Sequence, residues 1–391
     1  MTDTATEGRE VAPLAAASPQ SAPSADVSDT AAPSADLAEA DAPGAAASRK
    51  PRRRNIRSLT LDEVGQWCAE RDFPPYRAGQ LAGWFYNRPP CDVAVMHNVP
   101  ALVRSALEED FDTARPACAL LKESDDGTRK LLVGLADQRV VESVVIPRDE
   151  RITLCISSQV GCALGCGYCA TARLGLVRNL EPFEIIGQVM MAREIARPEP
   201  LTNYVFMGMG EPLSNYDRLL RSLEIMTSPW GLGISPRRIT VSTVGLVPQL
   251  ERLVQDTDVH IAISLGSAIN EVRDGLMPIN RRYPLEELIG ACRRLGLPRR
   301  KRITFEYTLL AGVNDDLPAA DAIVKLLQGV PVKLNLIPFN EWEGSGYRRP
   351  DDARVLAFQE RVLTSGIHTT IRASRGRDIQ AACGQLAAKG G

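Results

Sequence analysis

Beyond residue 180, helix-like and strand-like segments alternate six times. "PFEIIGQVMMAREIA" precedes "NYVFMGMGEPL", "YDRLLRSLEIMT" precedes "RRITVSTVGL", and "VPQLERLVQD" precedes "VHIAISLG". "LEELIGACRRLG" then precedes "RITFEYTLL", "LPAADAIVKLLQ" precedes "VKLNLIPFN", and "DARVLAFQERVLTSG" precedes "HTTIRASRG". Alternation at this spacing calls for parallel strands joined by helical crossovers. About six units suggest an incomplete ring, so the expected class is α/β, a partial (β/α)6 TIM-like barrel. In such barrels the loops that follow the strands hold the active site.

The upstream chain reads as three pieces. Residues 1–54 are rich in Ala, Pro, Ser and Asp and carry no aromatic residue; such a segment buries too little apolar surface to order itself, and a disordered tail is expected. Residues 55–112 read as a small helical domain, opening with a Thr cap and an acidic first turn in "LTLDEVGQWCAERD". Residues 113–150 hold strand-like segments, the first two joined by an Asp-Asp-Gly turn. They lead into a core over 151–387.

The loop before the alternation carries the chemistry. Cys162, Cys166 and Cys169 form a C-x3-C-x2-C run among closely spaced glycines. Three thiolates at this spacing can hold three corners of a four-iron cluster and leave the fourth iron open to a substrate. Zinc is the alternative, but it wants a fourth ligand close by, and the nearest further cysteine, Cys155, lies in a strand-like segment. The three histidines, His97, His260 and His368, are widely spaced, which argues against a His-rich site.

Composition narrows the setting. Nine cysteines in 391 residues do not make a disulfide scaffold, and a tight cluster points to metal ligation in a reducing compartment. No run of eighteen apolar residues occurs and the N-terminus does not read as a secretory signal, so a cytoplasmic protein with no membrane partner is expected. Residues 1–48 carry eight acidic residues and one arginine, −7 against −2 for the whole chain, which leaves +5 for the rest. Basic runs at Arg49–Arg57 and Arg299–Arg302 could meet phosphates or simply face solvent.

With Tyr168 before its last cysteine, the run resembles the radical S-adenosylmethionine superfamily. More narrowly, "CISSQVGCALGCGYCATA", "MGMGEPLSNY", "MPINRRYP", "LLAGVNDD", "NLIPFN" and "RGRDIQAACGQL" resemble, in order, the RlmN/Cfr family of RNA adenine methyltransferases, over about residues 57–387. The resemblance implies one [4Fe-4S] cluster on Cys162, Cys166 and Cys169, and S-adenosyl-L-methionine held by Gly210, Glu211, Ser242, Ser264, Leu265, Gly266 and Asn340. It implies that Cys383 is methylated and carries the group to adenine, that Cys155 attacks the Cys383 sulfur to release the product through a transient disulfide, and that Glu142 removes the ring proton. It also implies 23S rRNA and tRNA as substrates, an electron donor such as flavodoxin or ferredoxin, a monomer, and a helical domain that assists RNA binding. Adenine C2 is an electron-poor carbon that cannot attack a methyl donor, so a radical route fits it.

Bland readings stand beside these. Cys383 and Cys155 could be buried apolar side chains, and Glu142 could face solvent from an alternating strand. Cys68, Cys91, Cys118 and Cys292 match no motif. The family usually has His where Gly266 stands. Pro212, in "GMGEPL", favours C2 over the C8-methylating Cfr branch, which tends to have Ala there. A non-catalytic iron–sulfur RNA-binding or sensor protein would not need the Cys383 thiol.

Overall fold

The computed structural model describes residues 53–87, 92–298 and 301–387. The tail expected over residues 1–54 falls almost wholly outside the described residues, as do Cys91, Arg49–Arg52 and Arg299–Arg300.

Three helices come first: α1 (Leu61–Glu70), α2 (Tyr76–Tyr86) and α3 (Ala101–Asp110). Thr60 and Glu63 close a reciprocal capping box at the start of α1, each satisfying a backbone N–H that the first turn leaves open. Trp67 packs edge-on between Phe73 and Phe111, each with ring centres 5.5 Å away, and donates to the Asp110 carboxylate at 2.7 Å.

Four strands follow, β1 (Ala117–Glu123), β2 (Arg129–Gly134), β3 (Val140–Arg148) and β4 (Arg151–Cys155), each antiparallel to the next. A small hairpin of β5 (Gln159–Gly161) and β6 (Leu176–Asn179) brackets the cysteine loop. The alternating part then runs α4 (Pro182–Ile195), β7 (Asn203–Phe206), α5 (Tyr216–Thr227), β8 (Ile239–Thr243), α6 (Val247–Asp256) and β9 (His260–Ser264). It continues with α7 (Asn270–Leu276), α8 (Leu285–Arg294), β10 (Ile303–Leu309), α9 (Leu317–Leu327), β11 (Val332–Pro338), α10 (Asp352–Leu363) and β12 (Thr369–Ile371).

One ten-stranded sheet results, in the order β1-β2-β3-β4-β7-β8-β9-β10-β11-β12. From β4 to β12 every neighbour is parallel, and β1 is not paired with β12, so the ring stays open. β4 pairs parallel with β7, and through it the antiparallel strands β1–β3 continue the sheet.

Period-two alternation sorts the strand residues. On β10, Ile303, Phe305, Tyr307 and Leu309 are fully buried against the helices, which leaves Thr304, Glu306 and Thr308 facing the barrel interior. The helical layer docks on the outside. Phe183 N at the start of α4 donates to Ser58 Oγ at 3.2 Å, Arg221 of α5 pairs with Glu63, and Trp230 meets Tyr86 with 5.9 Å between rings.

The basic run keeps little free charge where it is described. Arg53 donates to the Glu108 and Glu109 carbonyls at the end of α3, where a cation suits the helix terminus. Arg54 pairs with Glu63 at 2.8 Å. Arg57 is buried, lies over the Phe85 ring and donates to the Thr113 carbonyl.

Candidate active site at the mouth of the barrel

The loops after β4, β7, β8, β9, β10 and β11 meet at one end of the barrel around a cleft of about 150 Å³. Gly210, Glu211, Ser242, Ser264 and Asn340 line it, together with Cys169 from the cysteine loop and Cys383 from the C-terminal segment. Residues from seven parts of the sequence thus reach one space.

Cys162, Cys166 and Cys169 lie on the loop between β5 and β6, pinned at both ends. Cys162 N donates to the Gly175 carbonyl at 2.9 Å, Gly167 N to the Leu276 carbonyl at 2.9 Å, and Ala170 N to the Gly384 carbonyl at 2.8 Å. Burial pushes the Cys162 thiol up to about 12, with Glu211 and Cys169 adding to the effect. Burial drives Cys166 well above its ordinary value, helped by Cys169, Cys162 and Glu211, and also raises Cys169. Three close thiols in a dry loop therefore hold their protons until a cation displaces them. Among the described residues no three His, Cys, Asp or Glu side chains converge on the site of a single metal ion. Three cysteines on one loop are the donor type that iron–sulfur clusters take, so the residues present fit such a cluster.

The cleft also holds what a bound small molecule could satisfy. Asn340 donates through Nδ2 to the Cys383 carbonyl at 3.1 Å, while its buried Oδ1 has no partner. Orphaned buried acceptors are uncommon, and this one belongs to a residue of the cleft wall. Glu211 accepts from Leu213 N at 3.0 Å and Val244 N at 2.9 Å; burial still raises it to about 7 against those bonds.

Two expected cofactor contacts turn away. Leu265 and Gly266 do not line the cleft. Leu265 is fully buried, its N bonded to the Glu306 carbonyl. Gly266 has φ +69°, and a Cβ there would lie 2.5 Å from Met277 Sδ, so a side chain would be strained and crowded. The glycine fits its own turn, and the turn contributes a carbonyl to Asn314 Nδ2 at 2.8 Å. Gly210 does line the cleft, but its missing Cβ makes room for Gln159, 2.5 Å from that position, and the close approach is between two loops.

Cys155 and Cys383 share a second, smaller cavity of about 40 Å³ that adjoins the cleft at Cys383. Both are free thiols. Burial, then the neighbouring Cys383, raises Cys155 to about 12, with Arg372 opposing. Arg372 lines the same cavity and lies 3.5 Å from Glu306 Oε1. Sequence reasoning missed both residues of this pair. A charged residue at an interior position of the buried run "ITFEYTL" was the available signal for Glu306; Arg372 carried none.

Glu142 lines neither space. It is buried on β3, ion-paired at 3.0 Å with the equally buried Lys130 through Oε1, and its Oε2 accepts from Ala387 N at 2.9 Å. It grips the C-terminal segment four residues beyond Cys383. Cys68 and Cys292 are buried away from the site and Cys118 is exposed on β1.

The model for the radical SAM superfamily matches residues 156–321. The chain is 47% identical over 337 residues to the dual-specificity RNA methyltransferase RlmN of Syntrophobacter fumaroxidans, covering 86% of this chain and 98% of that protein. It is 47% identical over 335 residues to the RlmN of Geobacter sulfurreducens, covering 86% and 92%. Among solved structures, a radical SAM methyltransferase from Sphaerobacter thermophilus superposes with a TM-score of 0.83 at 40% identity, over 86% of this chain and all of that one.

Proposed function

Because this chain belongs to the RlmN family of radical SAM RNA methyltransferases, we propose that it methylates C2 of adenine in 23S rRNA and in tRNA. The observation that carries the reading is the adjoining pair of spaces: Cys383 borders both the polar cleft and the cavity that holds Cys155.

Cys162, Cys166 and Cys169 would hold a [4Fe-4S] cluster, and Glu211, Ser242, Ser264 and Asn340 would line the site of S-adenosyl-L-methionine. When bound, these groups supply the methyl group and the radical that activates it. The chain's own residues do the rest. Cys383 takes the methyl carbon as a thioether and presents it to the adenine. Glu142 accepts the ring proton, which requires Ala387 N to leave Oε2 first. Cys155 attacks the Cys383 sulfur: the new S–S bond forms as the bond from that sulfur to the transferred carbon breaks, and the electron pair left on that carbon takes up a proton, balanced by the one the Cys155 thiol gives up, to complete the methyl group. Arg372 lines the small cavity with both thiols and opposes the rise of Cys155. Among the described residues no helix is long and apolar enough to cross a membrane; a cytoplasmic monomer served by a flavodoxin or ferredoxin suits this chemistry.

Nucleoside mass analysis of ribosomal and transfer RNA from a deletion strain, with and without the gene restored, tests the proposal. 2-Methyladenosine should vanish and return in both RNAs. 8-Methyladenosine in its place, or no change, would sink it.

A further inference from the structure

Arg273 on α7 has no part in the steps above, yet its burial is costly. It is fully buried, and a guanidinium keeps its charge in proteins. All four of its hydrogen bonds go to neutral oxygens: Leu265 O at 2.8 Å, Val244 O at 2.9 Å, Tyr283 O at 3.4 Å and Asn280 Oδ1 at 2.7 Å. The carboxylate of Asp274 is kept off by the Asn280 amide, whose Nδ2 donates to Asp274 Oδ1 at 2.6 Å. A buried cation without a direct counter-charge is costly unless something else nearby is negative.

That something lies on the other side of the same helix end. Leu276, the last residue of α7, accepts from Gly167 N at 2.9 Å, and Pro278 backs Gly165, 3.6 Å from where its Cβ would stand. The segment that carries Arg273 is thus the floor of the loop holding Cys166. Three thiolates and the nearby Glu211 would otherwise concentrate negative charge at that loop.

We propose that Arg273 is the built-in counter-charge of the iron–sulfur cluster, a positioning residue that makes the cluster easier to reduce. One electron entering from a reductant adds negative charge to the cluster. A fixed cation in a dry site favours that state, and removing it must shift the equilibrium toward the oxidised form. The same guanidinium ties the loops after β8 and β9 together, so a purely structural role is the rival to exclude.

The proposal rests on the cluster reading, and the test separates the two. Wild type, Arg273→Gln, Arg273→Lys and Asp274→Asn are reconstituted anaerobically with iron and sulfide and titrated with dithionite and mediators, the reduced cluster being followed by electron paramagnetic resonance. Arg273→Gln should lower the reduced-to-oxidised ratio at a given potential about tenfold, equal to 59 mV for one electron. Arg273→Lys should restore most of that ratio, because it keeps the charge and loses the fork. Asp274→Asn, a mild isosteric change, should raise the ratio. Equal shifts in the Lys and Gln variants, an unchanged Gln variant, or a fall with Asp274→Asn would overturn the proposal. If Arg273→Gln does not fold, the opposite signs required of Asp274→Asn and of any deficit in Arg273→Lys still decide it. Wild type that takes up no cluster overturns the cluster reading itself.

Discussion

The two thiols of the small cavity are held in opposite ways. Cys155 ends β4, in register with Val144 of β3 on one side and Val205 of β7 on the other, and its carbonyl accepts from Ser143 Oγ at 2.7 Å. Cys383 belongs to no helix or strand. Its segment is tied to the rest by scattered bonds, many from side chains: Asp126 Oδ2 accepts from Gly376 N at 3.0 Å, Ser124 Oγ donates to Asp378 at 2.6 Å, and Lys130 Nζ donates to the Gln380 carbonyl at 3.2 Å. A strand inside a sheet opens only with its neighbours, whereas a strap of separate bonds opens locally. The contrast matches the proposed roles. The thiol that carries the methyl group must visit both cofactor and RNA, and the thiol that ends the reaction can wait in place.

The largest effects should come from the thiols themselves. Cys383→Ala should reduce RNA methylation to background, since Cys383 is the thiol that borders both the cleft and the small cavity; activity surviving in liquid-chromatography analysis of the RNA would break the comparison outright. Cys155→Ala should also stop product release, but at a later point. Cys383 still receives its methyl and joins the RNA, so a covalent protein–RNA species should accumulate on denaturing gels. If instead free, unmodified RNA were all that is seen, Cys155 would be needed earlier than its fixed place suggests.

How far the sequence foretold this contrast depends on the range of the interactions. The barrel strands and the Thr60–Glu63 capping box are local patterns, and they appear where the alternation and spacing put them. The cysteine loop was legible because three thiols within eight residues constrain each other whatever surrounds them. The strap was not legible. Lys130 and Glu142 meet because β2 and β3 pair, and both then reach a segment some 250 residues later; a lysine in an alternating strand offers no sign of that. Glu142 shows the same limit from the other side. The family resemblance singled it out as a base, while its hold on Ala387 is a contact that only the folded chain displays. For Gly266, the turn and the crowding by Met277 account for the residue type, and neither can be read from the sequence around it.

A middle-sized effect should come from loosening the strap without touching either thiol. Lys130→Met leaves the Glu142 carboxylate buried and unpaired, and breaking such a pair costs about 3 kcal/mol or more. The loss should appear as a lower unfolding midpoint in urea. It should appear more sharply as faster tryptic cleavage at Arg375 and Arg377, while amide exchange in β4 around Cys155 stays slow. Lys130→Arg should recover much of the protection. Equal acceleration of exchange at both thiols would mean that strand and strap open together, and the distinction drawn between them would fail.

The smallest effect is set by pH and acts on one bond of the strap. Burial works to raise the Asp126 carboxyl, but the Gly376 and Thr128 amides that donate to it overcome this and hold the group below its ordinary value. With the folded value below the unfolded one, the unfolded chain binds the extra proton first as acid is added. The contribution of Asp126 is therefore complete above the usual carboxylate range near 3.8 and is lost as pH falls from there through the folded value. Over that window, proteolysis by an acid-active protease should rise first in the segment around Gly376, before β4 is cut. Asp126→Asn should remove this early step and leave a segment whose exposure no longer depends on acid there. The change should be modest, because Asp126 is only partly shielded and several other bonds remain, and that is the point of the comparison: a strap weakens one tie at a time, whereas Cys155 in its ladder should show no graded response at all.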